Sequence, residues 1–339
     1  MKKSLALLFL TSMIIGCANN GSVSDSTSNN SSDPIDEKHY QMLFDNKFEK
    51  GFLFSPANCN GREGIQAPDN RWMNDVKLTF GDNDGSGISW LGQQHGDIYS
   101  LNDVYNRTTN NVPAYKDGYY TFSDESKKLS VNPTTGSLYM ELNTSKEYMV
   151  PRKDNEDWCH LLLSQGFQKS ISVKECESID FTIDLDMKKF EDYMDGKANT
   201  NVHAAQFLMY LVIKSEAGLD ANDFFWFGIP FFDNRYPNGV PEGGNVDAGG
   251  AGATSKYIYH MDSNEFIPGG LHLGQKRSVN IDLKPQFAYA LAYTQSKGYF
   301  TNSTVDDLTF QSMNIGFEIP GTYDCGIEIS NFSLTANYK

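Results

Sequence analysis

The chain has 339 residues, 28 basic against 43 acidic, a formal charge of −15 and 39% hydrophobic side chains. So acidic a body repels nucleic acid and anionic lipid, which removes both as partners, and weighs against a polyanionic substrate. Its length beyond the N-terminal segment is ample for one large core.

Lys2 and Lys3 precede an apolar stretch, Leu5 to Ile15, that is too short to span a bilayer. It ends in "IIGC", with Gly16 directly before Cys17, and this resembles the lipobox of bacterial lipoproteins. The resemblance implies a signal peptide over 1–16 and a diacylated Cys17 as mature N-terminus. It also implies a place in the cell envelope, the outer membrane first. No later segment holds about eighteen consecutive apolar residues, so lipid is the expected membrane attachment. From Ala18 to Asp36 the chain is Asn-, Ser- and Asp-rich, too polar to offset its ordering entropy, so 17–38 reads as a flexible tether to a domain over 39–339.

Next in the chain, "DNDGSG" puts Asp82, Asp84 and Ser86 at positions one, three and five of a calcium loop, with Gly87 at six. Position twelve is Gln93, where a bidentate Glu is expected, so a tight turn is the first reading and calcium a weak second. No other cofactor is expected. Cys59, Cys159, Cys176 and Cys325 stand in no C-x-x-C pair, which argues against zinc and leaves disulfides or buried thiols open.

From residue 136 onward the texture is β. Strand-length runs cover 136–143, 159–167, 178–187, 205–214, 224–232, 256–261, 278–283, 313–319 and 325–337, bounded by Gly, Pro, Asn and Asp. In "IDFTIDLDM", Ile179, Phe181, Ile183 and Leu185 point one way and the acidic residues the other, so one face is in water. Two stretches show helical spacing: 186–196, with Phe190, Tyr193 and Met194, and 284–298, with Pro285 in its first turn and Phe287, Ala288, Leu291 and Ala292 on one face. Many strands and two short helices predict an all-β, antiparallel sandwich of jelly-roll type. This texture is similar to the concanavalin A-like group of lectins, glucanases and polysaccharide lyases. The phrases "HAAQF", "WFGIPFFDNR" and "MNIGFEIPGTYD" resemble those of secreted bacterial proteins without assigned activity, over roughly residues 150–335.

Four stretches supply candidate site residues. In "FFWFGIPFF", Phe224, Trp226, Gly228, Pro230 and Phe232 share one face, and Phe225, Phe227, Ile229, Phe231 and Asp233 the other. One set is core; the other offers an aromatic plane with a Gly beside it, which suits a sugar ring. Asp233, Arg235 and Tyr236 then stand at the sheet rim, before a Gly-rich loop over 238–255 that reads as a lid or as plain surface. In "AQFLMYLVIK", Gln206 and Tyr210 project away from the core side, while His203 has core-side parity. In "MNIGFEI", Asn314, Gly316 and Glu318 alternate with core residues, leaving a polar, empty, polar face. In "WCHLLL", Trp158 shares a face with His160, and either stacks on a ligand or lies in the core.

No nucleophile elbow, phosphate loop, H-E-x-x-H pair or dinucleotide fingerprint is present. These features point to a lipid-anchored glycan-binding protein whose ligand is a polysaccharide or oligosaccharide. A polysaccharide-degrading enzyme is the alternative, lyase before hydrolase, and an envelope adhesion module the third. A lyase draws its base from Tyr210 or His203, with Gln206 or Arg235 on a uronate. A hydrolase needs Glu318 and Asp233 in one cleft.

Overall fold

The computed structural model describes residues 38–59, 70–106, 112–221, 223–248 and 253–339. The signal, Cys17 and the tether up to residue 37 lie outside the described residues.

Among the described residues there are seventeen strands. The first eight are β1 (His39–Gln41), β2 (Phe52–Phe54), β3 (Val76–Leu78), β4 (Trp90–Gln93), β5 (Ala114–Lys116), β6 (Tyr119–Ser123), β7 (Lys127–Asn132) and β8 (Ser137–Asn143). Then come β9 (Cys159–Ser172), β10 (Cys176–Asp192), β11 (Gln206–Ser215), β12 (Phe224–Asp233) and β13 (Gly243–Val246). The last are β14 (Tyr257–His260), β15 (Lys276–Asp282), β16 (Leu308–Ile319) and β17 (Tyr323–Tyr338). The α-helices are α1 (Leu101–Tyr105) and α2 (Lys284–Ser296).

The strands form an all-β sandwich. The smaller sheet has eight strands in the order β15-β10-β17-β8-β7-β6-β5, with β1 added on β17. The larger has nine, in the order β13-β14-β12-β11-β16-β9-β4-β2-β3. Pairing is antiparallel except for β2 with β4 and β12 with β14. The alternation read from "IDFTIDLDM" sends Ile179, Phe181, Ile183 and Leu185 inward, none more than 1% exposed. From the facing sheet come Phe207, Met209, Phe225, Phe227, Ile229, Ile315 and Phe317, and rings meet across the gap, as Phe181 does on Phe231 at 6.1 Å. Burying such side chains contributes about 1.5–3 kcal/mol each, so inward parity fixes the register of every long strand.

Three expectations are corrected. Residues 186–192 are not helical: β10 runs on to Asp192, with Phe190 opposite Cys325 and Asp192 opposite Tyr323, and only a short turn follows. The partner strand outbids local helical spacing by completing the ladder and stacking Phe190 on Tyr323. Helix α2 starts as expected, with Pro285 in its first turn, but it buries Phe287, Ala290, Leu291 and Thr294 while Ala288 and Ala292 face water. The stretch 238–255 is not all loop, since β13 pairs with β14 and makes a hairpin at the edge of the larger sheet.

One cluster of charged groups is wholly interior. Lys127 is 1% exposed, and its ammonium lies 3.1 Å from Asp124, 3.3 Å from Asp97 and 3.5 Å from Glu147. Among the described residues, Asp97, Glu147 and Cys159 have the donor set of a metal site, yet the Lys127 ammonium supplies the cation these carboxylates need. The cluster ties β7 to the 95–99 turn, because Lys127 also donates to Tyr99 O. None of the four cysteines named above forms a disulfide. Asp84 accepts from Ser86 N at 2.7 Å, closing the tight turn, and Gln93 sits on β4 opposite Leu162.

Candidate functional site

Paired residues on adjacent strands stand side by side, so the outward face of the larger sheet is built of rows. One row crosses β12, β11, β16 and β9 as Asp233, Gln206, Glu318 and His160. Another runs His260, Gly228, Tyr210, Asn314 and Ser164, from β14 to β9. Between and beside them lie Leu208, Val212 and Leu162, outward in parity yet only 2%, 4% and 6% exposed. The face is therefore sunk, and its floor is shielded from water.

Asp233 reaches this face through a β-bulge. The register between β11 and β12 shifts so that Leu208 pairs with Pro230 but Phe207 with Phe232. The extra residue turns Asp233 from the core parity expected of it to the side of Gln206. There it is 3% exposed, accepting from Gln206 Nε2 at 3.0 Å and from Arg235 Nη2 at 2.6 Å. Asp233 and Arg235 thus neutralise each other. The carboxylate is not free to act as a nucleophile towards anything in the cleft, and Glu318 lies two strands away, roughly 10 Å at ordinary strand spacing.

Gly228 opens no space for a ligand, contrary to expectation. A Cβ there would meet His260 Cδ2 at 2.5 Å and Tyr210 Cε1 at 2.9 Å, because those two side chains close over it. The Tyr210 hydroxyl and His260 Nε2 are 2.9 Å apart. Burial lowers the His260 pKa to about 4, so the ring is neutral and accepts from the phenol. Burial and then the Glu318, Asp247 and Asp233 charges push Tyr210 well above the usual phenol range, so it holds its proton. Gly316 is required for another reason: a Cβ would lie 2.1 Å from Leu161 O. Its absence lets β9 approach and leaves the notch between Asn314 and Glu318 bare.

Glu318 has the most perturbed carboxyl on this face. Its side chain keeps 21% of its surface exposed, yet protein surrounds it, and desolvation raises its pKa to about 7. The Trp158 indole N–H opposes that rise and the Asp247 charge adds to it. His160 Nε2 stands 3.9 Å from the carboxyl. The other ring nitrogen, Nδ1, lies 3.2 Å from His95 O and can only donate there, which leaves Nε2 a bare lone pair turned to Glu318. Burial brings both His160 and His95 to about 4, so both are neutral at pH 7. His95 Nε2 and Asn314 Oδ1 are buried polar atoms without a protein partner.

Tryptophans flank the rows. Trp158 lies under the Arg152 guanidinium at 5.0 Å and beside His160 at 5.4 Å. Trp226 packs on Tyr210 at 5.8 Å and donates to Thr254 Oγ1 at 3.1 Å, and Thr254 in turn donates to Asp247 at 2.6 Å. The hairpin thereby carries Asp247 to the edge of the face. Arg152 is engaged with Glu156 O and Val202 O. His203 does not reach the face: it is 6% exposed, accepts from Asn199 N at 2.9 Å and donates to Arg152 O at 2.7 Å. Tyr236 is 42% exposed and sits beyond the row, with Arg235 at 5.6 Å from its ring.

Gln206, Tyr210, Asn314, Glu318, Trp158 and Trp226, each picked from alternation, thus come together on one face. His160, His260 and Asp247 join them on that face without being singled out by alternation alone. His160 is legible beside Trp158; His260 lies on the run 256–261 that reads as a strand, but its place beside Gly228 depends on the pairing of β14 with β12, and Asp247 follows β13, which reads as loop.

No known family profile matches the sequence, and no curated protein matches it. Among solved structures, the chain is similar to an endoglucanase from Rhodothermus marinus at 13% identity, over 66% of this chain and 93% of that one, with a TM-score of 0.35. It is similar to a family 12 xyloglucanase from Bacillus licheniformis at 13% identity, over 66% and 96%, with a TM-score of 0.37. A xyloglucanase domain from Sinorhizobium fredii, solved with cellobiose, has 13% identity over 66% and 100%, with a TM-score of 0.33. Likeness at this level says nothing about which side chains act.

Proposed function

We propose that the sunk face of the larger sheet binds a stretch of neutral polysaccharide, on a domain held at the bacterial cell envelope by lipid on Cys17. The observation that supports this reading most is the pair of rows, Asp233–Gln206–Glu318–His160 with Trp158 beside His160, and the Tyr210–Asn314 row with Trp226 packed on Tyr210. Amide, acid and imidazole groups offer both donors and acceptors to hydroxyls, and indole planes suit the C–H faces of pyranose rings.

The charge pattern favours a neutral chain over a uronate polymer. Asp247, Asp233 and Glu318 line or border the face, and its two guanidinium groups are already committed. The test is co-elution of the protein with neutral and with uronic-acid polysaccharides, for the parent and Trp158→Ala. Retention of a neutral polymer, weakened in the variant, is the expected result. Retention of uronic polymers alone refutes the reading.

A second reading, cleavage of the bound chain, is favoured by Glu318. A carboxyl with a pKa of about 7 still holds its proton near neutrality and can pass it to a glycosidic oxygen as that C–O bond breaks. Water then attacks the sugar carbon and gives up its proton to a base; Asp247 is the other carboxylate whose charge reaches Glu318. Hydrolysis comes before elimination here, because Tyr210 keeps its proton and is a poor base. Shortening of the polymer by the parent and not by Glu318→Gln, with retention unchanged, is the outcome this reading requires.

A further inference from the structure

The interior cluster brings an amine and a carboxyl from different sheets within reach of each other. Lys127 opens β7 of the smaller sheet, and Asp97 lies in the turn that follows β4 of the larger one. The side chains of Lys127, Asp97 and Glu147 are 0% exposed and that of Asp124 2%.

The three carboxyls around the lysine are not equivalent. Asp124 Oδ1 accepts from the backbone N–H groups of Ser126 and Lys127. Glu147 accepts from Ile98 N, Tyr99 N and the Ser126 hydroxyl. Both are thus committed as acceptors. Neither oxygen of Asp97 is hydrogen-bonded, although Lys127 Nζ stands 3.3 Å from its Oδ2 and the carboxyl carbon is one bond beyond. Burial above all raises the Asp97 pKa to about 7, so near neutrality a large share of it is the uncharged acid, the form an amine can attack.

We propose that Lys127 and Asp97 condense into an intramolecular amide, a covalent staple between the two sheets. Glu147, 3.5 Å from Nζ, takes one proton from the ammonium and frees its lone pair. Nζ then attacks Asp97 Cγ and forms the C–N bond. As the C–O bond breaks, the hydroxyl leaves with a second proton from nitrogen, as water. One hydrogen stays on the amide nitrogen, two depart in the water and one rests on Glu147, so charge and atoms balance without an oxidant or activating group. Groups fixed this close react as if at about 10⁵ M or above. The step also removes an ammonium and a carboxylate charge from an interior that solvates both poorly. The remaining amide N–H can keep the bond that Lys127 now makes to Tyr99 O. Burial lowers the Lys127 pKa, but the Asp124, Asp97 and Glu147 charges outweigh it, so proton loss is the slow step and the staple matures after folding. It is independent of what the outward face of the larger sheet binds.

The test is intact mass spectrometry of the whole protein, denatured, beside its Lys127→Arg variant, which shares any N-terminal processing but cannot condense. Once the residue difference is allowed for, the parent should be one water lighter than the variant. Digestion should give a branched peptide joining the Asp97 segment to Lys127, and Lys127 should resist amine acylation after unfolding. Glu147→Gln, which removes the base at constant volume, should lower the stapled fraction at least tenfold. A folded parent that differs from the variant by the residue change alone, with Lys127 acylated after unfolding, overturns the staple. That reading holds even if Glu147→Gln fails to fold. A folded Glu147→Gln stapled as fully as the parent overturns the role given to Glu147.

Discussion

Replacing Glu318 by Gln should stabilise the protein, and increasingly so as pH rises. The folded state holds the Glu318 proton up to about pH 7, whereas the ordinary value is 4.5. Between those values the native state binds more protons than the unfolded chain, so this residue lowers stability as pH climbs through the window. At about 1.4 kcal/mol per pH unit, the handicap is about 1 kcal/mol at pH 5 and approaches about 3 kcal/mol at pH 8. The amide is isosteric, still accepts from the Trp158 indole and cannot ionise, so Glu318→Gln removes the handicap. Urea unfolding of parent and variant at pH 5 and pH 8 reads the difference directly, with unchanged m-values showing that the unfolded state is not what moved. The variant should gain about 2 kcal/mol more at pH 8 than at pH 5. A difference that stays flat across that range would mean Glu318 titrates as an ordinary exposed carboxyl, and the argument for a poised acid would fail.

Lys127→Met should cost about 3–5 kcal/mol in urea unfolding, since it strands Asp97, Asp124 and Glu147 without their cation; a loss below about 1 kcal/mol would contradict the cluster. Gly316→Ala should destabilise by more than about 2 kcal/mol, because its Cβ meets Leu161 O at 2.1 Å, and full stability would show that β9 can yield. Tyr210→Phe removes the donor to neutral His260 and should cost about 1–2 kcal/mol, with any polymer cleavage persisting; abolished cleavage in a folded variant would restore Tyr210 as a base.

Much of the fold was legible because parity is a local property. The alternations over 178–187, 205–214 and 313–319 place inward and outward side chains correctly, and the outward set is the one that makes the face. What parity cannot carry is any event that depends on a neighbouring strand. The bulge opposite Phe207 turned Asp233 outward, though its own strand put it inside. Residues 186–192 look helical in isolation and are held extended by β17. Gly228 reads as an opening, yet Tyr210 and His260 fill it, and His260 comes from a separate strand, β14. Asp247 follows a four-residue strand, Gly243–Val246, whose glycines read as loop until β14 pairs with it.

The central claim is tested most directly by the indole N–H resonances of the four tryptophans, followed as a neutral polysaccharide or oligosaccharide is titrated in. Trp90 is fully buried and donates to Asp45 O, whereas the indoles of Trp158 and Trp226 border the sunk face. The account predicts that Trp158 and Trp226 shift together with one saturating affinity while Trp90 stays fixed. Saturable binding that leaves both Trp158 and Trp226 unmoved would place the glycan elsewhere and contradict it.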